Sequence, residues 1–119
     1  MEKDNILHSK SYKFAIRIVK LSQFLMHEKK EYILSKQVLR AGTSVGALVS
    51  ESKFAQSKAD FVNKLMVSLK EANETQYWIN LLHDTAYITT HMHKSLYADI
   101  DELISLLVAI TKTIKNKGI

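Results

Sequence analysis

The chain contains no proline and no cysteine among its 119 residues, and only three glycines, Gly42, Gly46 and Gly118. Each scarcity removes a class of structure. Hairpins draw on Asn-Gly, Asp-Gly and Gly-Gly dipeptides to supply positive φ, and none occurs here, so a many-stranded β fold has few turns to build on. Helices are the default. Without cysteine there is no disulfide, no thiolate metal site and no cysteine nucleophile, which excludes a secreted disulfide scaffold. A reducing compartment suits such a chain. No apolar run approaches the roughly 20 residues of a membrane span, and Met1 to His8 lack the apolar stretch of a signal peptide. A cytoplasmic protein with no membrane partner is expected.

What the chain holds is one core's worth of apolar residues, 46% of the total, with 24% charged. One domain over residues 1–119 follows, since two ordinary domains need more chain. The net charge is +5, and its location is uneven. Residues 1–30 carry Lys3, Lys10, Lys13, Arg17, Lys20, Lys29 and Lys30 against only Glu2, Asp4 and Glu28. A basic surplus favours acidic partners such as nucleic acid, and it also serves solubility.

Hydrophobic periodicity predicts four helices, at about residues 11–27, 32–54, 58–84 and 94–115. In the first, Tyr12, Ala15, Ile16, Val19 and Met26, with neighbours Phe14 and Ile18, recur at helical spacing and predict a broad buried face. Lys10, Lys13, Arg17 and Lys20 fall within an arc of about 80° on the same helix, one basic stripe. In the second, Gly42 and Gly46 lie one turn apart, and each costs about 1 kcal/mol relative to alanine, so the pair implies close approach of another helix. A phosphate-cradling loop is the competing reading, but no GxxxxGK[ST] or GxGxxG pattern is present. Ser57 to Asp60 has the form of a capping box and starts the third helix. Tyr87 to His93 reads as a turn, and Leu96, Ile100, Leu103, Leu107 and Ile110 mark the fourth helix. Long helices with short connections specify an all-α, antiparallel up-down-up-down four-helix bundle.

The chemistry-bearing residues are sparse. His8, His27, His83, His91 and His93, with Asp84 beside His83, lack the helical Glu-x-x-His pairs that build metal sites in bundles, so neither metal nor other cofactor is expected. Arg40, Glu71 and Glu74 sit amid apolar sequence, where an inter-helix ion pair is the expected use. No nucleophile or second carboxylate pair accompanies them, and an enzyme is not expected. Tyr77 and Trp78 can stack a base, but on an apolar helix face they read first as core or subunit contact.

A resemblance joins these readings. The run Gln37-Val-Leu-Arg-Ala-Gly-Thr-Ser-Val-Gly-Ala47, then Glu51, Ser57-Lys-Ala-Asp-Phe61, Lys64-Leu65 and Leu69-Lys-Glu-Ala-Asn-Glu-Thr-Gln-Tyr-Trp78, closely resembles the 23S ribosomal RNA intervening-sequence proteins, over roughly Lys10 to Lys115. At Leu48-Val-Ser50 the chain departs from the Asn-Ile-Ala often found in that family. The resemblance implies an antiparallel four-helix bundle assembled into a homopentameric barrel with a central channel. It also implies kinship with the accessory variability determinant proteins of diversity-generating retroelements, basic pentamers that bind nucleic acid and a reverse transcriptase. In a fivefold ring a charge of +5 becomes about +25 and the stripe repeats around the assembly. The expected function is therefore a non-enzymatic, homo-oligomeric bundle that binds RNA or DNA without sequence specificity through Lys10, Lys13, Arg17 and Lys20. The alternative is a structural or protein-interaction module, with Gly42, Gly46, Tyr77 and Trp78 in helix packing or subunit contacts and itself or another protein as partner.

Overall fold

The computed structural model describes the backbone of residues 2–116 and the side chains of residues 5–114. Its four helices are α1 (Glu2–His27), α2 (Leu34–Ser52), α3 (Lys58–Asp84) and α4 (Thr90–Asn116). No strand occurs among the described residues. Each helix packs against its neighbours in sequence and α1 packs against α4, while the two diagonal pairs stay apart. The result is a four-cornered, all-α antiparallel bundle measuring 48 × 22 × 19 Å. Among the described residues no helix is long and apolar enough to cross a membrane.

Three boundaries differ from the periodicity reading. The first helix begins at Glu2, not near residue 11, because Leu7 continues the inward row of Phe14, Ile18, Leu21 and Leu25. The second occupies Leu34–Ser52, leaving Tyr32, Ile33 and Phe54 exposed beyond its ends. The fourth starts at Thr90, so His91 and His93 lie on its first turn and not in the connection. Thr89 caps that turn, its Oγ1 accepting from the Met92 N–H at 3.1 Å. Lys117 and Gly118 lie outside the described residues.

The core runs the length of the bundle. Phe14 and Ile18 from α1, Val38 and Val45 from α2, Leu65 and Ile79 from α3, and Ile100 and Leu107 from α4 are all fully or almost fully buried. Buried hydroxyls stitch adjacent helices, which satisfies groups that are costly to leave unpaired. Ser68 Oγ donates to the Val45 carbonyl at 2.9 Å, and Ser22 Oγ donates to the Ser35 carbonyl at 3.2 Å. The two interior glycines mark where α2 meets α1. A Cβ on Gly42 would lie 2.7 Å from Ile18 Cγ1, and one on Gly46 would lie 3.0 Å from the Ser11 carbonyl oxygen. Neither position has room for an ordinary side chain.

Helix ends show how the chain manages without glycine. Ser57 Oγ accepts from the Asp60 N–H at 3.0 Å, and the Asp60 carboxylate accepts from the Gln56 N–H at 3.2 Å, one residue earlier than in the usual capping box. At the other end of α3, the Ala86 N–H donates to the His83 carbonyl at 3.0 Å and the Tyr87 N–H to the Leu82 carbonyl at 2.9 Å. This is the paired hydrogen-bond pattern of a Schellman motif, whose left-handed position is usually glycine. Here it is Ala86, at φ 65°. Ala86→Gly is therefore expected to stabilise the protein by about 0.5–1 kcal/mol, seen as a raised urea midpoint at unchanged slope. An unchanged or lowered midpoint would show that alanine is unstrained there.

Candidate nucleic-acid interface

The basic stripe of α1 lies along its seam with α4, and α4 answers two of its four cations. Arg17 Nη1 contacts Asp99 Oδ2 at 2.6 Å, and Nη2 donates to Ser95 Oγ at 2.8 Å. Lys10 Nζ lies 3.2 Å from Glu102. These contacts also fix the antiparallel register, since residues 10 and 17 ascend while 102 and 99 descend. Lys13 and Lys20 stand at the outer edge of the stripe, exposed, without an ion-pair partner among the described residues. The paired cations are not removed from solvent. Arg17 and Lys10 keep side-chain exposures of 38% and 44%, so each pair is worth only about 0–1 kcal/mol and a polyanion competes readily for the cations.

Across the bundle, α2 and α3 carry a second polar set. Arg40 Nη1 meets Glu71 at 3.0 Å, and its Nη2 meets the Glu74 carboxylate. The same Glu74 oxygen accepts from the Trp78 indole N–H at 3.0 Å. One carboxylate thereby orients an arginine from α2 and an indole from α3. Tyr77 and Trp78 touch edge to face, with ring centroids 5.0 Å apart, but they serve different environments. Trp78 packs half-buried against the core, whereas Tyr77 is 60% exposed. Gly42 and Gly46 face α1 within the subunit.

The histidines divide similarly. His83 and His93 meet between α3 and α4 with ring centroids 4.6 Å apart and planes tilted by 34°, and His93 stacks in turn on Tyr97 at 5.5 Å. Their polar atoms meet Asp84, Thr90 and Asn80. No group of three or more His, Asp or Glu side chains among the described residues converges to hold a metal ion.

Periodicity did not reveal Ser95, Asp99 and Glu102 as partners of the stripe. A signal existed, because Asp99 and Glu102 are spaced to share a helix face. It becomes readable only when α4 is laid antiparallel to α1. The broad buried face expected of α1 is corrected here: Tyr12, Ile16 and Val19 form an exposed apolar row, with exposures of 66%, 43% and 40%, because the inward side of the helix is taken by Leu7, Phe14, Ile18, Leu21 and Leu25. By helical projection the row lies about 110° from the centre of the basic stripe.

Comparison with known proteins places this geometry. Residues 3–109 match the 23S rRNA-intervening sequence protein family. Among solved structures, a protein of unknown function from the S23 ribosomal protein family of Bacteroides thetaiotaomicron VPI-5482 is 53% identical and superposes with a TM-score of 0.91. That alignment covers 92% of this chain and 98% of the other. No curated protein matches the chain. With nearly its whole length matched, the chain belongs to the 23S rRNA-intervening sequence protein family.

Proposed function

We propose that this protein is a non-enzymatic, self-associating helical bundle of the cytoplasm that holds nucleic acid, RNA above all, electrostatically along α1. The observation that carries the reading is the row of solvent-reaching cations Lys10, Lys13, Arg17 and Lys20, two of them outside any described ion pair. Phosphate contacts of this kind give affinity without base readout. The Tyr12, Ile16 and Val19 row supports self-association, since a long uncovered apolar stripe is ordinarily covered by a partner. Four cations per subunit bind little at physiological salt, and repetition in an assembly multiplies them.

The test is a salt titration of single-stranded RNA binding, together with light scattering. Lys13→Gln/Lys20→Gln is expected to lower the slope of log K against log salt by about 1.4, from two single-strand phosphate contacts at about 0.7 each. Ile16→Glu is expected to reduce the scattering mass. RNA affinity undetectable at about 50 mM salt, or a slope unmoved by the double substitution, overturns the nucleic-acid half. A monomer at micromolar concentration overturns the self-association half.

A second reading, a purely structural assembly module, is favoured by the ion pairs that tie Arg17 and Lys10 to α4. It predicts loss of assembly with Ile16→Glu and no RNA binding at any salt.

A further inference from the structure

Two hollows open at the end of the bundle where α1 finishes and α4 begins. The larger, about 420 Å³, combines an apolar floor of Leu21, Phe24, Met92 and Leu96 with a basic rim of Arg17, Lys20 and His91. The burial gradient supports this division, since Leu21 and Leu96 are buried, Phe24 and Met92 half-buried, and Lys20 and His91 exposed. The second, about 370 Å³, shares Phe24 and Met92 with the first and adds Lys29 and His83. The Lys29 ammonium lies 5.9 Å from the Phe24 ring centroid, so the wall between the hollows is an aromatic ring carrying a cation. Among the described residues no carboxylate lines either hollow, while Asp99 and Asp84 pair with the rim residues Arg17 and His83 from outside them.

This combination selects a ligand by exclusion. A bare anion leaves the apolar floor unused, and a neutral apolar ligand leaves the basic rim unused. A flat apolar body bearing one anionic group uses both, and the volume lies in the roughly 300–1,000 Å³ range of small-molecule sites. We propose that the larger hollow seats one nucleotide of a single strand, its base against Leu21, Phe24, Met92 and Leu96 and its phosphate at Arg17, Lys20 and His91. Arg17 is oriented by Asp99 and Ser95, and because that pair is half-exposed and weak a phosphate can take the guanidinium over from the carboxylate. A duplex keeps its base faces stacked and cannot enter a concave site, whereas a single strand presents them. The inference rests on the nucleic-acid reading above and sharpens it, because the stripe then leads to a seat at one end of the bundle.

The experiment uses the full chain, labelled with nitrogen-15, titrated with adenosine monophosphate, adenosine, inorganic phosphate, a short single-stranded oligoadenylate and an RNA duplex of equal length. Adenosine monophosphate is expected to move the amide signals of Leu21, Phe24, Met92 and Leu96. Adenosine and phosphate alone are expected to bind about tenfold or more weakly, as each uses half of the site. His91→Glu, at an exposed position, is expected to weaken the nucleotide about tenfold by placing a carboxylate beside its phosphate. The single strand should displace the nucleotide and the duplex should not. If the oligoadenylate moves signals along Lys13 but none at the hollow, the seat is wrong and the electrostatic reading stands. If no probe binds, both fail. Phosphate binding as tightly as the nucleotide, or displacement by the duplex, overturns the seat. Nucleotide binding that the single strand does not displace overturns the strand as its source and leaves a free nucleotide as the ligand.

Discussion

Valine in place of Gly42 is expected to destabilise the bundle by about 3 kcal/mol, a large part of the about 5–15 kcal/mol that holds a domain of this size. A Cβ there already falls 2.7 Å from Ile18 Cγ1 and 2.8 Å from Cγ2. Both atoms sit next to the backbone of a fully buried, β-branched residue, so they cannot swing aside as the tip of a long side chain would. Valine adds two further carbons to that clash. Alanine adds none and recovers about 1 kcal/mol of helix propensity, so Gly42→Ala is expected to cost less, about 1–2 kcal/mol. Urea unfolding measures both. The mechanism has its own check, because Ile18→Ala removes the atoms in the way. Ile18→Ala/Gly42→Ala should then be more stable than the sum of the single changes predicts, by more than about 0.5 kcal/mol. Additive losses would mean that the glycine is kept for a reason other than the approach of α1.

Phe14→Ala is expected to cost about 3–5 kcal/mol, the loss of a whole ring plus the cavity it leaves. Phe14 is 1% exposed and, among the described residues, is the only aromatic one in the set of largest fully buried side chains. Tyr12, two residues away on the same helix, gives the contrasting case. At 66% exposure it contributes little to the isolated subunit, and Tyr12→Ala is expected to move monomer stability by no more than about 0.5 kcal/mol. Where the Tyr12 row is covered by a partner subunit, the same substitution lowers the melting temperature in a concentration-dependent way. Thermal unfolding at two protein concentrations separates the cases. A small loss for Phe14→Ala would show that the core collapses into the space.

Much of the fold was legible because four apolar rows at helical spacing have few alternatives in a chain without proline or hairpin dipeptides. The boundaries were less so. From Asn5 to Lys10 a single buried residue, Leu7, carries the period beside the exposed Ile6, and one point does not establish a repeat. The start of α4 was hidden for a related reason, as Thr90 to His93 contribute only one apolar residue, Met92, and the cap is a threonine with ordinary composition around it. Ala86 gave no sign at all of its left-handed backbone, since alanine carries none of the usual signal for that conformation.

The candidate site divided along the same line. That Lys10, Lys13, Arg17 and Lys20 share one flank follows from spacing within a helix, which is local information. That Asp99, Glu102 and Ser95 face them depends on how two helices roughly 80 residues apart are set against each other, which no local pattern encodes. The hollows are further removed still, because Phe24 and Met92 acquire their role only from the junction of α1 with the start of α4.

The two flanks of α1 differ in how much inheritance they can absorb. Toward α2 the contact is set by backbone and branched carbons at Gly42 and Gly46, where any added atom must displace something rigid. Toward α4 it is set by the ends of long, half-exposed side chains, which can lengthen, shorten or exchange sign in compensating pairs without moving a helix axis. Substitutions can therefore retune the charge of one seam while the other holds the geometry.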